Sequence, residues 1–240
     1  MIGVFSKTTD SNFVEALGLA GMDFIILDQE HGPIHNETLH NHVRAARVSD
    51  MKAIVRVKGV DANAIGAALD SGADGVQVPN VETAEQALMA VNAARFYPKG
   101  NRGVCRFVKA ANFGSTPKSD YFHNANNKMV ILQVEGKEGI ANLDEILKVE
   151  GYDILFIGPY DLSQSLGIPG QIDHPDMKDL MQKVANQVKK KGKKLGTFAD
   201  SVESAKYLLS LEFEYLAYSV DINIFLEAAI KIRKSLIKKK

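Results

Sequence analysis

The stretch LDSGADGVQV, residues 69–78, decides the fold because it connects a helix directly to a strand. Apolar periodicity predicts a helix over 62–70, and Gly72 suits the left-handed turn that ends many helices. Gly75 to Val78 then predicts a short buried strand. The stretch LGLAGMD at 17–23 has the same order and leads into a second predicted strand. We therefore expect a chain built from repeated helix-turn-strand units.

Outward from these stretches, short β-branched runs alternate with longer segments of helical periodicity. The predicted strands cover 2–6, 24–28, 53–56, 75–78, 129–134, 154–157, 195–198 and 215–219. The predicted helices cover 12–20, 37–48, 62–70, 84–96, 139–149, 175–191, 202–209 and 222–238. Eight strands alternating with eight helices predict an α/β fold, a single-domain (β/α)8 TIM barrel over 1–240. A doubly wound open sheet is the alternative architecture.

Helix starts and one long connection refine this prediction. Cap-like residues precede several predicted helices and are Asp10 or Ser11, Asp61, Thr83 and Ser201. The region 99–127 interrupts the alternation with glycine, proline and many polar residues, so we expect a long functional loop there.

Composition excludes several classes of protein. The 240 residues carry 29 basic and 29 acidic side chains, so no general attraction to nucleic acid or anionic lipid is indicated. Cys105 is the only cysteine, which excludes an intrachain disulfide and suits a reducing compartment. No stretch suits a membrane span or an export signal. The sequence thus predicts a cytoplasmic protein with no nucleic-acid or membrane partner, and the basic run 238–240 is interpreted as a solvated helix end.

Ionisable and polar residues follow four of the predicted strands. They are found at 28–32, at Arg56, at 133–135 and at 158–161. In a (β/α)8 barrel the carboxyl ends of the strands and the loops after them form the active site. These four groups are therefore expected to meet at one mouth of the barrel.

Glu135 and Asp161 are the candidate metal ligands in this set. They follow neighbouring strands, and two carboxylates bind a hard divalent cation while leaving coordination positions for substrate and water. Surface carboxylates or a glycosidase acid pair are the alternatives at this point.

His31 and Arg56 are the candidate groups for proton transfer and charge stabilisation. An imidazole titrates near neutral pH, although a lone histidine is usually structural. A guanidinium suits a carboxylate or an enolate oxygen, and the alternative is an internal ion pair with Asp28 or Glu30.

Other chemistries find less support in the sequence. The turn 158–163 shapes a strand-to-helix passage that is able to aim amides at an anion. P-loop, dinucleotide-binding and serine nucleophile motifs are absent. Lys58 lies beyond Arg56, and the other lysines mostly fall in helices or loops, so Schiff-base chemistry is not favoured.

These residues lie in fragments that together resemble a known family. The fragments are 20–24, 28–31, 55–56, 69–73, 78–79, 98–103, 133–135, 142–143, 156–163 and 174–175. In order and spacing the chain resembles the HpcH/HpaI family, the metal-dependent class II pyruvate aldolases. That family includes 4-hydroxy-2-oxoheptanedioate and 2-dehydro-3-deoxyglucarate aldolases, and the resemblance spans nearly the whole chain.

The resemblance implies a division of labour among the site residues. Glu135 and Asp161 would bind Mg2+ or Mn2+, with Co2+ as a further candidate, and pyruvate would chelate the ion. Arg56 would stabilise the pyruvate enolate. His31 would transfer the proton through a water on the metal, with Asp70 orienting it.

The remaining site residues are also implied by the resemblance. Gln133 and Glu30 would line the site, with Asp28 beside them as a further supporting residue. The substrate-binding set would comprise Arg56, Gln133, Gly158, Pro159, Tyr160 and Asp161. The amides around Tyr160 and Asp161 would receive the pyruvate carboxylate.

Three positions depart from the usual family pattern. Gln29 replaces a common glycine, Tyr160 a usual alanine and Gly136 a frequent threonine. Because Gln29 and Tyr160 lie beside the predicted pocket, the aldehyde specificity of relatives does not transfer. The family also implies a homo-oligomer, hexamer or trimer, in which the last helix is exchanged between copies. Docking of this helix on its own barrel is the alternative.

The predicted reaction is reversible cleavage of a 4-hydroxy-2-oxo acid to pyruvate and an aldehyde, with a 2-keto-3-deoxy sugar acid as one candidate substrate. Two alternatives stay open. One is a related citryl-CoA or malyl-CoA type lyase, or a decarboxylase, that uses the same enolate. The other is a sensor that binds pyruvate without catalysis.

Overall fold

Eight parallel strands form a closed barrel in the computed structural model, which describes residues 1–237. Each strand pairs with the next in sequence, and the last pairs with the first. The strands are β1 Ile2–Ser6, β2 Phe24–Asp28, β3 Lys52–Arg56, β4 Gly75–Val78, β5 Met129–Val134, β6 Ile154–Ile157, β7 Lys194–Ala199 and β8 Tyr215–Val220. The predicted (β/α)8 barrel is confirmed, and each predicted strand is correct to within one residue at either end.

Helices surround the barrel. They are α1 Ser11–Leu19, α2 Asn36–Val48, α3 Ala62–Asp70, α4 Ala84–Ala94, α5 Lys118–Ala125, α6 Lys137–Ala141, α7 Leu143–Ile146, α8 Pro159–Ser165, α9 Pro175–Lys190, α10 Val202–Ser210 and α11 Asp221–Leu236. A 3-10 helix covers Lys109–Gly114. Among residues 1–237, no helix has the length and apolar character needed to cross a bilayer.

Side-chain caps begin four of the helices where the sequence predicted them. Asp10, Asp61, Thr83 and Ser201 each accept a hydrogen bond from a backbone amide in the first turn. Such a bond satisfies an amide that has no partner within the helix. The predicted starts of these helices are thus confirmed by their capping contacts.

Three helix predictions need correction. The single helix predicted over 139–149 is two short helices, interrupted at Asn142, whose side-chain amide donates to the carbonyl of Glu82 at 2.9 Å. The region 99–127 contains the 3-10 helix and α5 rather than a continuous loop. The last helix begins one residue earlier than predicted, and its predicted end at Lys238 lies outside the described residues, as does the basic run 238–240.

The interior of the barrel is filled at the amino ends of the strands. We call this apolar cluster the barrel floor, and it consists chiefly of Phe24, Ile26, Ile54, Ile131, Ile154, Phe156 and Tyr215. The rings of Phe24 and Tyr215 stack with centroids 3.8 Å apart. Gly196 makes room for this stack, because a Cβ there would lie 2.9 Å from the ring of Tyr215. The floor is therefore a packed core that closes one end of the barrel.

Polar side chains occupy the same interior face at the carboxyl ends of the strands. On β2, the buried Asp28 lies two residues beyond Ile26, and on β3 the buried Arg56 lies two residues beyond Ile54. Asp28 and Arg56 are paired in the β2–β3 register. Side chains of a strand alternate between faces, so residues two apart share the interior. We call this end of the barrel the mouth, and it is where the predicted site residues converge.

Candidate active site at the barrel mouth

A cavity of about 500 Å³ opens at the mouth. The predicted residues that line it are His31, Arg56, Gln133, Glu135, Gly158, Pro159, Tyr160 and Asp161. The lining residues that the sequence analysis did not select are Phe5, Lys7, Phe156, Phe198, Asp200, Ser219, Val220 and Asn223. One cavity thus brings together side chains from all parts of the chain that the sequence predicted to meet.

Glu135 lies almost fully buried at the base of the cavity, with 5% of its surface exposed. Its Oε1 accepts a hydrogen bond from the backbone amide of Asn80 at 3.0 Å, and its Oε2 accepts one from the side-chain amide of Gln133. Burial raises the pKa of Glu135 to about 7, and the nearby Asp161 carboxylate adds to this effect. A cation beside such a buried carboxylate strongly stabilises its ionised form.

Two further features fix the position of Glu135. The side-chain amide of Gln77 donates to Gln133 Oε1. This bond orients the Gln133 side chain so that its Nε2 faces Glu135. Gly158 gives the carboxylate room, because a Cβ at this position would lie 2.9 Å from the Cβ of Glu135. The sequence predicts a turn at Gly158, and in the structure this glycine also leaves space for Glu135.

Arg56 is held in a fixed orientation by two carboxylates. Its Nε and Nη2 donate to Asp28 at 2.9 and 2.8 Å, and its Nη1 lies 3.2 Å from Glu30 Oε2. Burial lowers the pKa of Arg56, but the hydrogen bonds and charges of Asp28 and Glu30 outweigh burial and raise it overall. The ion pair that the sequence analysis kept as an alternative therefore exists, and the same guanidinium also borders the cavity.

Glu30 connects Arg56 to His31. Its Oε1 accepts a hydrogen bond from the Asn80 side chain at 3.1 Å, and its Oε2 lies 3.8 Å from His31 Nε2. Burial raises the pKa of Glu30 despite the opposing charge of Arg56. The His31 side chain is 58% exposed, so its ring is free to meet a ligand in the cavity.

Asp70 does not join this group within one chain. It is the last residue of α3, which returns from the mouth to the amino ends of the strands, and it forms an ion pair with Arg102. Four residues later, Asp74 accepts a hydrogen bond from Ala53 at the start of β3. Within one chain Asp70 and His31 therefore lie at opposite ends of the barrel and do not contact each other. The role predicted for Asp70 stays a prediction.

The donor set at the mouth suits a hard divalent cation. Within residues 1–237 no group of three or more His, Cys, Asp and Glu side chains is arranged to hold a metal ion, but the carboxylates of Glu135 and Asp161 both line the open cavity. Oxygen ligands with room for substrate and water are what Mg2+ and Mn2+ use at catalytic sites. Glu30 Oε2 is buried and has no hydrogen-bond partner among the described residues, although Arg56 lies within ion-pair distance. The residues present therefore fit such an ion.

Several site residues were missed for identifiable reasons. Lys7 and Asp200 follow β1 and β7, and the rule that selected residues after β2, β3, β5 and β6 would also have found them. Asn80 acts partly through its backbone, in a left-handed conformation with φ of 57°, and side-chain chemistry alone does not indicate this.

An aromatic wall borders the cavity on the side of β6 and β7. The Tyr160 ring packs edge-to-face against Phe198, with centroids 5.8 Å apart, and Phe198 packs in the same way against Phe5. The Tyr160 hydroxyl donates to Asp200 Oδ2 at 2.7 Å. Tyr160 is 45% exposed, so this wall meets a ligand at the outer part of the cavity.

Comparisons with known proteins agree with the geometry. The family described as HpcH/HpaI aldolase/citrate lyase matches residues 1–228. A relative from Escherichia coli strain K12 named 5-keto-4-deoxy-D-glucarate aldolase is 35% identical over 232 residues, which cover 96% of this chain and 90% of that protein.

Two solved structures are also similar. One is an HpcH/HpaI aldolase/citrate lyase family protein from Burkholderia cenocepacia J2315, with a TM-score of 0.93, 32% identity and coverage of 98% of this chain and 94% of that chain. The other is the citrate synthase SbnG, with a TM-score of 0.85, 31% identity and coverage of 98% and 93%.

Proposed function

The chain belongs to the HpcH/HpaI aldolase/citrate lyase family as a class II aldolase, and on this premise we propose how its mouth cavity works. The cavity cleaves a 4-hydroxy-2-oxo acid, such as a 2-keto-3-deoxy sugar acid, reversibly to pyruvate and an aldehyde. The observation that carries this proposal is that Glu135, Asp161, Arg56 and His31 border one cavity. Two carboxylates, a guanidinium and an imidazole are the groups that enolate chemistry requires.

Glu135 and Asp161 are the proposed ligands of a divalent cation, Mg2+ or Mn2+, with Co2+ as a further candidate. When bound, the cation supplies Lewis acidity that stabilises negative charge on a keto oxygen. Gln133 and the Asn80 amide hold the two oxygens of Glu135, so its carboxylate keeps one orientation as substrate exchanges.

Arg56 stabilises the enolate in this proposal. Because Asp28 and Glu30 hold the guanidinium, it needs little reorganisation when negative charge develops beside it. The amides of Tyr160 and Asp161 lie in the first turn of α8, where helix amides have no intrahelical acceptor, and they receive the carboxylate of pyruvate.

His31 is the proposed acid-base residue. In cleavage, the proton leaves the hydroxyl group at C4, the C3–C4 bond breaks, and the electron pair of that bond forms the enolate. The enolate carbon then takes up a proton to give pyruvate. Glu30 Oε2, 3.8 Å from His31 Nε2, is placed to orient the imidazole for these two transfers.

A homo-oligomer, hexamer or trimer, accompanies this proposal. The only buried residue of α11 is Asp221, and the helix exposes large apolar side chains at Ile222, Phe225, Leu226 and Ile232. Exposed apolar surface of this kind marks a protein contact, and we propose another copy as the partner. Asp70 would then support His31 only across such a contact.

The decisive experiment measures exchange of the pyruvate methyl protons with deuterated water by NMR, with and without Mn2+ or Mg2+. We expect metal-dependent exchange, because this reaction needs the enolate half of the site and no aldehyde. Glu135→Gln is expected to lower the exchange rate on the order of 10³-fold and to weaken Mn2+ binding. His31→Ala is expected to lower exchange while Mn2+ still binds.

Glu203→Gln on the exposed face of α10 is the matched control and is expected to behave as wild type. Absence of exchange in wild type with either metal would refute the aldolase mechanism. Binding of pyruvate without exchange would instead indicate the sensor considered above.

The similarity to a citrate synthase favours one second candidate function. In this function the protein is a lyase or synthase that uses an acyl-CoA and the same enolate. Thiol release from acetyl-CoA in the presence of a 2-oxo acid, at a rate above that of pyruvate formation from 4-hydroxy-2-oxo acids, would favour it.

A further inference from the structure

The pair Tyr160 and Asp200 carries information about the aldehyde half of the substrate. The two side chains come from α8 and from the residue after β7, and both line the cavity. The Tyr160 hydroxyl donates its one hydrogen to Asp200 Oδ2 at 2.7 Å.

This pair presents only hydrogen-bond acceptors to a ligand. The phenol hydrogen is already used, which leaves the lone pairs of the Tyr160 oxygen. Within residues 1–237 no protein group donates to Asp200 Oδ1, so that oxygen is also available. A hydroxyl group on a ligand is able to donate to either atom, whereas a carboxylate has no hydrogen to donate.

Asn223 also presents a hydrogen-bond acceptor to the cavity. Its Nδ2 donates to Ser219 Oγ at 3.1 Å and to Glu227 Oε1 at 3.0 Å. With both amide hydrogens used, the amide oxygen is the remaining polar atom of this side chain. The outer cavity from β6 to α11 is therefore rich in acceptors.

The two cations that line the cavity, Lys7 and Arg56, both lie beside Asp28. Arg56 donates twice to Asp28, and the Lys7 ammonium lies 3.4 Å from the same carboxylate. No other Lys or Arg lines the cavity among the described residues. A carboxylate at the outer end of a substrate would therefore meet the like charge of Asp200, while the charges of Lys7 and Arg56 are already shared with Asp28.

We propose that the aldehyde half of the substrate is an uncharged polyhydroxylated aldehyde, recognised through its hydroxyl groups by Asp200 and Tyr160. This inference rests on the proposed aldolase function and specifies its substrate class. It separates this chain from a site for a sugar diacid, whose cleavage would release an aldehyde carrying a second carboxylate.

Two matched substrates test the inference. Both are six-carbon 2-keto-3-deoxy acids with the same hydroxyl groups at C4 and C5; one ends in a primary alcohol at C6 and the other in a carboxylate. Pyruvate release is followed with lactate dehydrogenase, and selectivity is the ratio of the two kcat/KM values. We expect wild type to favour the alcohol on the order of 100-fold, because the carboxylate would leave the acceptors without donors.

Asp200→Asn replaces an acceptor oxygen by an amide that is able to donate to a carboxylate, so the ratio is expected to fall at least about tenfold. Tyr160→Phe removes one acceptor and is expected to lower kcat/KM for the alcohol more than for the carboxylate. The exposed Asp179→Asn on α9 is the matched control, whose ratio should equal that of wild type. Ratios within each variant cancel any loss common to both substrates.

A wild-type preference for the carboxylate, lost in Lys7→Met, would overturn the inference and assign carboxylate recognition to Lys7. An unchanged ratio in Asp200→Asn would also overturn it. Failure of both substrates in an enzyme that exchanges pyruvate protons contradicts the substrate class alone. Loss of exchange itself contradicts the aldolase mechanism.

Discussion

The floor and the mouth of the barrel are built from the same strands and the same interior face, yet they differ in every physical respect. At the floor, Ile26 and Ile54 pack among aromatic and aliphatic side chains with no polar partner to satisfy. Two residues further along the same strands, Asp28 and Arg56 are equally buried and charged. Position along a strand, rather than burial, therefore separates the structural part of this barrel from its chemical part.

The two regions respond to change by different rules. A floor residue contributes through buried apolar area and close packing, so its loss scales with the volume removed. A charged mouth residue depends on its partners, because leaving a buried charge unpaired lowers the unfolding free energy by several kcal/mol. A floor substitution should therefore lower stability without changing activity, whereas a mouth substitution should lower activity and, where it leaves a buried charge unpaired, stability as well.

Arg56→Met is expected to have the largest effect. It leaves Asp28, whose side chain is fully buried, with only backbone amides and Lys7, so unfolding free energy should fall by about 3–5 kcal/mol. Urea denaturation at pH 7 measures this loss, and Asp28→Asn combined with Arg56→Met should recover much of it. A loss below about 1 kcal/mol would show that the mouth does not depend on this pair.

The pH dependence of the same variant sharpens the test. Burial alone would raise the pKa of Asp28, but the hydrogen bond and charge of Arg56 outweigh it and hold the pKa below its usual value. A lowered pKa contributes stability at pH values above the unfolded pKa, and this contribution is lost as pH falls through the folded one. The difference between wild type and variant should therefore shrink in acid.

Gly158→Ala is expected to have an intermediate effect, on activity rather than on stability. The added methyl group would lie 2.9 Å from the Cβ of Glu135 and displace its carboxylate, so kcat/KM should fall about 10- to 100-fold. Mn2+ titration measures the effect on metal binding, and steady-state kinetics measure kcat/KM. Gly66→Ala in α3 is the control, since its Cβ meets nothing within 4 Å and should slightly stabilise the helix. Equal activity of both variants would show that the mouth tolerates crowding.

Ile26→Val in the floor is expected to have the smallest effect. Removing one buried methylene should cost about 0.5–1.5 kcal/mol of unfolding free energy. The kcat/KM per folded enzyme should stay within about twofold of wild type, because the contacts of Asp28 on the same strand are preserved. A large loss of activity at full folding would show that the two regions are coupled.

The strands were predictable because clear turns bound the β-branched runs. Gly72, for example, forms the turn that precedes β4. The short helices were not. α8 follows β6 after a single residue, and its seven residues give too little periodicity to be recognised. The interruption at Asn142 depends on a side-chain bond to Glu82, sixty positions away in sequence, which local pattern does not contain.

The meeting of polar residues at one cavity was predictable from their positions after the strands. Glu135, Arg56 and Asp161 were found by that rule, and all three border the cavity. Asp70 shows its limit. The residue was selected by resemblance alone, and a single chain places it at the far end of the barrel.

The aromatic stack of Phe24 and Tyr215 that closes the floor also bears on the order of events in turnover. With one end of the barrel packed, ligands enter and leave through the mouth alone. Under the proposed chemistry, pyruvate lies at the base beside Glu135, and the aldehyde lies nearer the exit beside Tyr160. The aldehyde then departs first and pyruvate last, and in the reverse direction pyruvate is the leading substrate. The proposed chemistry therefore predicts an ordered kinetic mechanism, because ligands pass through the mouth alone.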